Sequence, residues 1–253
     1  MLSLVLGIDA LGYKYFKRFA EKELEVLSRF PCRKLVQDHP AWSPRMWVLY
    51  FSGADLRWYG KYVVPLDDSN WRLVRREELP VKFVWDYDPN IVVVNVPVVL
   101  PPICRNTGFR PVCSGVPVTP SECIKEINGV KHAVKNGLAR TGKVCAVFTW
   151  VDRMVHIHWY DETIRNLLRY FNVALREILS VAKRWIIVSD HDMRVKDLSS
   201  NVKVEQRRDI PFLRNISYPK AEHDLDPIFI SNMPFEVKSI YDVFGVVKKL
   251  MLQ

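Results

Sequence analysis

Residues 185–193 read Trp185-Ile186-Ile187-Val188-Ser189-Asp190-His191-Asp192-Met193, a short apolar run that ends in a carboxylate and an imidazole side by side. Four apolar residues, three of them β-branched, read as a buried strand, and the Asp-His pair falls where that strand stops. Directly upstream, Ile164, Leu167, Leu168, Phe171, Leu175, Ile178, Leu179 and Ala182 keep a helical period over roughly Thr163 to Lys183. That stripe predicts the clearest helix of the chain, with its apolar face packed into a core. Helix followed by buried strand is the repeating unit of an α/β layered fold.

The same unit recurs toward the N-terminus. Leu4 to Ile8 reads as a first strand, and Gly12 to about Phe30 as a helix with Phe16, Phe19, Ala20, Leu24 and Leu27 on one face. Ile91 to Val96, bounded by Pro97 and Pro101-Pro102, and Val144 to Trp150 read as further strands. The stretch at about 65–142 is less regular and carries most of the Pro clusters, so a small cap or insertion over a sheet edge is expected there. With no repeat and no low-complexity tract, the chain is expected to be one domain over residues 1–253.

Composition narrows the function classes. A chain of 253 residues with 49% hydrophobic and 26% charged residues can bury a large core, which excludes a disordered or collagen-like protein. Lys and Arg total 37 against 28 Asp and Glu, a net charge of +9 that favours anionic partners: phosphate esters, nucleic acid or acidic surfaces. The charge is dispersed in pairs such as Arg75-Arg76 and Arg207-Arg208, and Trp42, Trp150 and Trp185 sit in apolar segments that read as core. A non-catalytic nucleic-acid-binding protein is therefore the weaker reading, although nucleic acid stays open as a partner. No membrane partner is expected, because the longest apolar candidate, Ile91 to Leu100, is short and broken by Asn95 and Pro97. Residues 1–6 carry no basic segment and Asp9 follows closely, so a first strand is expected there and not a signal peptide. Five cysteines without a C-x-x-C pair read as free thiols of a cytoplasmic protein, with a Cys104–Cys113 bridge as the alternative.

The chemistry lies in where the acids and histidines fall. There is no G-x-x-x-x-G-K-[ST] loop and no G-x-G-x-x-G after a strand. Instead Asp9 follows the first strand, Asp152 follows the Val144–Trp150 strand with His156 four residues on, and Asp190-His191 follows the Trp185–Val188 strand. Ligands of open α/β sheets gather at the carboxyl ends of strands, where loops converge on one crevice. Each residue alone has another reading: an Asp after a strand is a turn or cap residue, a lone His a core group, and Asp152 with His156 a helical surface pair. Together, carboxylates and imidazoles are the donors a Zn²⁺ or Mn²⁺ ion takes, and two such ions can clamp a phosphoryl group. Ser43 in Pro40-Ala41-Trp42-Ser43-Pro44-Arg45-Met46-Trp47 reads either as a helix N-cap before Pro44 or as a nucleophile at a phosphate-binding helix start.

These residues resemble a family. Leu4-Val5-Leu6-Gly7-Ile8-Asp9-Ala10-Leu11-Gly12 is similar to the opening of the alkaline phosphatase superfamily, in its type I phosphodiesterase and nucleotide pyrophosphatase branch. The Pro40-to-Trp47 segment resembles that branch's nucleophile motif, and Ser52-Gly53 its following Thr-Gly element. Asn95-Val96-Pro97 with Pro101-Pro102, Asp152-x-x-x-His156 with Trp159, Ser189-Asp190-His191-Asp192-Met193 and Glu222-His223-Asp224 resemble its later motifs, in the family's order. Asp192 stands where the family has Gly, so the backbone after His191 is expected either to differ or to place an Asp in the left-handed region.

The resemblance implies an alkaline-phosphatase-like three-layer α/β/α sandwich with a central mixed sheet. It implies two divalent metal ions, Zn or Mn, one held by Asp152, His156 and His223 and the other by Asp9, Asp190 and His191, with Ser43 bridging toward the second. The implied activity is hydrolysis of a phosphate ester or nucleotide through a phosphoseryl intermediate on Ser43. A phosphotransferase or mutase of the same superfamily is the alternative.

Overall fold

Side-chain alternation along five strands sorts the core into two apolar layers, one on each face of a single sheet. Leu4, Leu6 and Ile8 point into one layer and Val5 into the other; Val144, Ala146 and Phe148 oppose Cys145 and Val147; Trp185 and Ile187 oppose Ile186 and Val188. Successive residues of a strand face opposite sides, so strands apolar at every position demand cover on both faces. The computed structural model describes residues 2–38, 42–57, 63–65, 71–111, 119–195 and 221–253.

In chain order the strands are β1 (Ser3–Ile8), β2 (Cys32–Lys34), β3 (Val63–Pro65), β4 (Trp71–Leu73), β5 (Val92–Val96), β6 (Ile103–Arg105), β7 (Lys143–Phe148), β8 (Arg184–Val188), β9 (Asp192–Val195), β10 (Ala221–Asp224) and β11 (Ile228–Ser231). The helices are α1 (Tyr13–Tyr15), α2 (Glu25–Ser28), α3 (Ser43–Ser52), α4 (Val84–Tyr87), α5 (Pro120–Thr141), α6 (Trp150–His158), α7 (Glu162–Val181) and α8 (Val243–Leu252). Seven strands pair in the order β2-β11-β8-β1-β7-β5-β6. The inner strands β8, β1, β7 and β5 are parallel, while β11 and β6 run antiparallel to their neighbours, so the sheet is mixed. Helices α5, α6 and α7 join the layer that takes Leu4 and Phe148, and α3, α4 and α8 the layer that takes Val5 and Val147. This is the three-layer α/β/α sandwich with a central mixed sheet.

Several elements depart from the sequence reading, each for a local reason. The helix expected from Gly12 to Phe30 is interrupted: α1 runs into a π-helical turn at Phe16–Ala20, and Leu24 leaves the helical region before α2. The Val26 amide there donates to the side chain of Asn172 on α7 at 3.0 Å, a tertiary bond that claims it. The strand expected to reach Trp150 stops at Phe148, because the backbone turns into α6 at Trp150. Within residues 65–142, β5 and β6 belong to the central sheet and α5 covers it, whereas β4 pairs with the preceding β3 in a separate ladder. Cys32, Cys104, Cys123 and Cys145 are free thiols, and Cys113 lies outside the described residues. Among the described residues no helix is long and apolar enough to cross a membrane.

Candidate active site

The three adjacent parallel strands β8, β1 and β7 end side by side, and the chain turns differently at each. After β1, Asp9 donates its N–H to Phe148 O at 2.9 Å, and Ala10 adopts the left-handed region at φ 64°. That conformation is unfavourable for a residue with a Cβ, and the Ala10 N–H is held in it by Asp190 Oδ1 at 3.1 Å. Gly12 then passes so close to the next turn that a Cβ on it would stand 2.1 Å from the Asp192 Cα. After β8, Ser189, Asp190, His191 and Asp192 are all fully buried.

Asp192 is not in the left-handed region. Its carboxylate instead accepts from the N–H groups of Lys14 (2.7 Å), Tyr15 (3.0 Å) and Met193 (2.8 Å). Asp192 thus ties the start of α1 to the turn that bears His191, on the side that Gly12 leaves open. β9 continues from this turn and pairs antiparallel with β10, with His223 opposite Met193. The His191 and His223 rings consequently stack, with centroids 3.8 Å apart and planes at 23°.

Asp152 and His156 sit one turn apart on α6, whose start continues from β7. The site residues expected from sequence fall into two touching triangles. In the first, His191 Nε2 lies 3.3 Å from Asp9 Oδ1 and 3.4 Å from Asp190 Oδ2. In the second, Asp152 Oδ1 lies 3.3 Å from His156 Nε2 and 3.1 Å from His223 Nε2, and the two imidazole nitrogens are 3.1 Å apart. His191 Nε2 is 3.7 Å from Asp152 Oδ1, so the triangles meet there. Ser43 Oγ is 3.3 Å from Asp9 Oδ1, on the flank of the first triangle.

Ser43 opens α3 as its first helical residue, with Trp42 in the cap position and no side-chain capping bond. Its hydroxyl faces Asp9, which leaves the N-cap reading without support. The helix behind it is fixed to the sheet. Tyr50 donates its hydroxyl to Ser189 O at 3.0 Å, Arg45 makes a two-pronged bond to Asp55 at 2.7 and 3.0 Å, and Trp47 fills the space that Gly7 leaves on β1.

The donors are tuned in opposite directions. Burial, reinforced by the charge of Asp190, pushes the Asp9 carboxyl well above the usual carboxylate range. Burial disfavours the His191 cation, but Asp190, Asp9 and Asp152 outweigh it and lift the imidazole to about 10. Burial also works against the Asp152 carboxylate, yet the Arg153 guanidinium, 3.0 Å away, and His156 hold it well below the usual range. Burial and the neighbouring His191 charge press His223 down to about 4.

These donors suit divalent cations. A tetrahedral ion bound at about 2.0–2.1 Å spaces its ligands about 3.3–3.4 Å apart, close to the edges of both triangles. Asp190 Oδ2 and His191 Nε2 are buried with no hydrogen-bond partner among the described residues, an expensive arrangement that a cation relieves. Both inner imidazoles also have their other nitrogen anchored: His156 Nδ1 donates to Ala221 O at 2.7 Å and His191 Nδ1 to Asp192 O at 2.9 Å. That fixes each ring and presents Nε2 to the cluster, as outer partners of ligating histidines do. The grouping of donor atoms permits one variation, since Asp152, His191 and His223 also lie close enough together to share an ion.

The remaining histidines stay apart from the cluster: His132 bonds Asn128 O at 2.9 Å, His158 bonds Asp161 at 2.8 Å, and His39 lies outside the described residues. Sequence reasoning did not single out Arg153, Tyr50 or Glu126. Arg153 was signalled only by standing next to Asp152, and Glu126 by being an acid on the apolar stripe of α5.

Comparison with solved structures places this architecture. A phosphonoacetate hydrolase from Sinorhizobium meliloti 1021, in complex with phosphonoacetate, superposes with a TM-score of 0.68 at 11% identity, over 98% of this chain and 95% of that one. The chain has the alkaline-phosphatase-like fold. Human ectonucleotide pyrophosphatase/phosphodiesterase 5 superposes with a TM-score of 0.60 at 10% identity, over 99% of this chain and 94% of that one. The murine protein, as an inactive variant in complex with AMP, gives 0.54 at 10% identity, over 99% and 94%. No family model matches the chain, and no curated protein matches it in sequence. At such identities the shared property is the fold, and the site must be judged on its own atoms.

Proposed function

We propose that this chain is a metal-dependent phosphoric ester hydrolase of the phosphodiesterase and nucleotide pyrophosphatase type, with Ser43 as nucleophile. The observation that carries the reading is the meeting of Asp9, Asp190, His191, Asp152, His156 and His223 in two triangles, with Ser43 Oγ 3.3 Å from the nearest carboxylate. Asp9, Asp190 and His191 would hold one divalent ion, Zn or Mn, with Ser43 beside it, and Asp152, His156 and His223 the other. Bound there, such ions supply Lewis acidity toward phosphoryl oxygens and lower the pKa of a hydroxyl or water. The chain's own groups do the rest. Ser43 Oγ, beside Asp9 at 3.3 Å, attacks phosphorus and gives up its proton, and the leaving oxygen takes up a proton as its bond to phosphorus breaks. The N-terminus of α3 directs its dipole and amides at the equatorial oxygens, where charge accumulates. Water then attacks the phosphoseryl group, releasing phosphate or a nucleotide and returning the hydroxyl.

The substrate class is a small phosphate ester or nucleotide, in line with the phosphonoacetate and AMP bound by proteins of the same fold. Residues 1–253 are read as one catalytic domain, with the β3–β4 ladder as the candidate cap. Four free thiols suit a reducing compartment such as the cytoplasm.

The test joins elemental analysis of the purified protein to a substrate panel of p-nitrophenyl mono- and diesters, an AMP diester, phosphonoacetate and an oligonucleotide, each with Zn²⁺, Mn²⁺ or Mg²⁺. The expected result is ester hydrolysis that depends on bound cation and is lost in Ser43→Ala, whose cation content stays at the wild-type level. A Ser43→Ala protein with wild-type turnover removes the nucleophile, and a protein that neither binds these cations nor cleaves any ester removes the function.

A further inference from the structure

Glu126 is a fully buried acid on α5, an element that contributes no donor to either triangle. Its Oε1 accepts from the N–H of Thr149 at 2.6 Å and of Trp150 at 3.2 Å, and its Oε2 accepts from the Thr149 hydroxyl at 2.9 Å. Those groups form the turn that ends β7 and opens α6, the helix bearing Asp152 and His156. The first amides of a helix have no partner within the helix, and here Thr149 makes no capping bond of its own. Trp150 is fully buried beside them, so the carboxylate meets these amides away from bulk solvent.

We propose that Glu126 is a positioning residue: by clasping the Thr149–Trp150 turn from α5, it fixes where α6 starts and hence where Asp152 and His156 meet His223. The inference rests on the phosphohydrolase reading of those residues and adds a part that lies outside the cluster. The geometry of the three bonds, and not the charge, does the work. A Gln in this position keeps the Oε1 acceptor for both amides, and the Thr149 hydroxyl turns to accept from its NH₂ group. An Asp withdraws the acceptors by one methylene, and an Ala removes them. Burial lifts the Glu126 carboxyl to about 7, so the site already accommodates an uncharged side chain over part of the neutral range.

The experiment uses the full chain loaded with Co²⁺, whose visible absorption reports each occupied site, together with kcat and KM on a p-nitrophenyl ester. In Glu126→Ala and Glu126→Asp, the affinity for one of two Co²⁺ ions falls by about 10–100-fold, as for other outer partners of metal ligands, and the second ion binds as in wild type. kcat falls with it while KM changes little, and Glu126→Gln stays near wild type in all three readouts. Ala or Asp variants that bind both ions with wild-type affinity overturn the inference, as does a Gln variant that fails like Ala. Should Ala not fold, Asp and Gln carry the same contrast. A wild-type protein that takes up no Co²⁺ removes the functional reading alone. Amide exchange at Thr149 and Trp150 then decides the clasp: faster in Asp and unchanged in Gln supports it, and unchanged in both refutes it.

Discussion

The two triangles share one crevice yet are built in different ways. Asp9, Asp190 and His191 stand on the ends of adjacent parallel strands, are at most 3% exposed, and take their geometry from the sheet register itself. Asp152, His156 and His223 come from a helix and a two-stranded ribbon, and the His223 side chain keeps 28% exposure. Charge differs as well. The first triangle sets two carboxylates against one imidazole with no Lys or Arg paired to it among the described residues, whereas Arg153 offsets the single carboxylate of the second. The strand-end triangle is therefore preassembled and short of positive charge, while the helix-and-ribbon triangle is nearly neutral and depends on outer supports to keep its shape. A cation is worth more to the first in charge and more to the second in order.

The largest effect should come from weakening the strand-end triangle. Asp190→Asn keeps an oxygen for the Ala10 amide but places an NH₂ group toward His191 and removes one of two carboxylate charges. The cation there should be lost and turnover should fall about a thousandfold, the order expected when several kcal/mol of phosphoryl charge stabilisation disappears. Steady-state assays with metal content measured in parallel check this, and an Asn variant that retains both ions breaks the comparison.

The next effect concerns the support of the other triangle. Glu126 is lifted to about 7 from an ordinary 4.5, so between these values the native state keeps a proton that the unfolded chain has given up. Stability should therefore fall as pH rises from about 4.5 to 7 and level off above, by up to about 3 kcal/mol from this group. Glu126→Gln should flatten that slope in urea titrations between pH 5 and 8. A slope equally steep in the variant would assign it to other groups.

What could be read in advance follows the same division. The strand-end triangle was legible because a strand that stops in Asp or Asp-His puts its chemistry at one edge of the sheet, whatever packs elsewhere. The continuous apolar runs Leu4 to Ile8 and Trp185 to Val188 likewise predicted buried strands. His223 was reachable only through resemblance, since no local period leads from Glu222-His223-Asp224 to a ribbon stacked on His191. Glu126 escaped because α5 itself escaped: the Pro-rich run before it drew residues 65–142 into one irregular stretch. Yet Thr119 and Glu122 form a capping box, Pro120 occupies the first turn and Gly142 ends the helix in the left-handed region, all local signals. The break at Leu24 carries no such signal, because its cause is Asn172 on a distant helix.

A smaller loss is expected from His223→Ala. The ring is partly exposed and the β9–β10 pairing is made by the backbone, so Asp152 and His156 remain and water fills the vacated position. Turnover should drop about 10–100-fold and the thermal midpoint should move by only about 2 °C or less. A loss as deep as that of Asp190→Asn would erase the asymmetry between the triangles.

Proton release sharpens the contrast with the least intrusive measurement. In the cation-free protein at pH 7, His191, lifted to about 10, carries its extra proton, while His223, lowered to about 4, carries none. An imidazole must be neutral to ligate, so filling the strand-end triangle has to expel the His191 proton, whereas His223 has none to give up. Affinity at the first should consequently rise with pH between 6 and 8. Calorimetric titration of chelator-treated protein with Zn²⁺, in buffers of different ionisation enthalpy, should resolve a strand-end step, the one lost in Asp190→Asn, with about one proton or more released. A strand-end step that releases no proton would mean that the carboxylates there do not hold His191 charged, and with that the electrostatic difference between the two triangles would go.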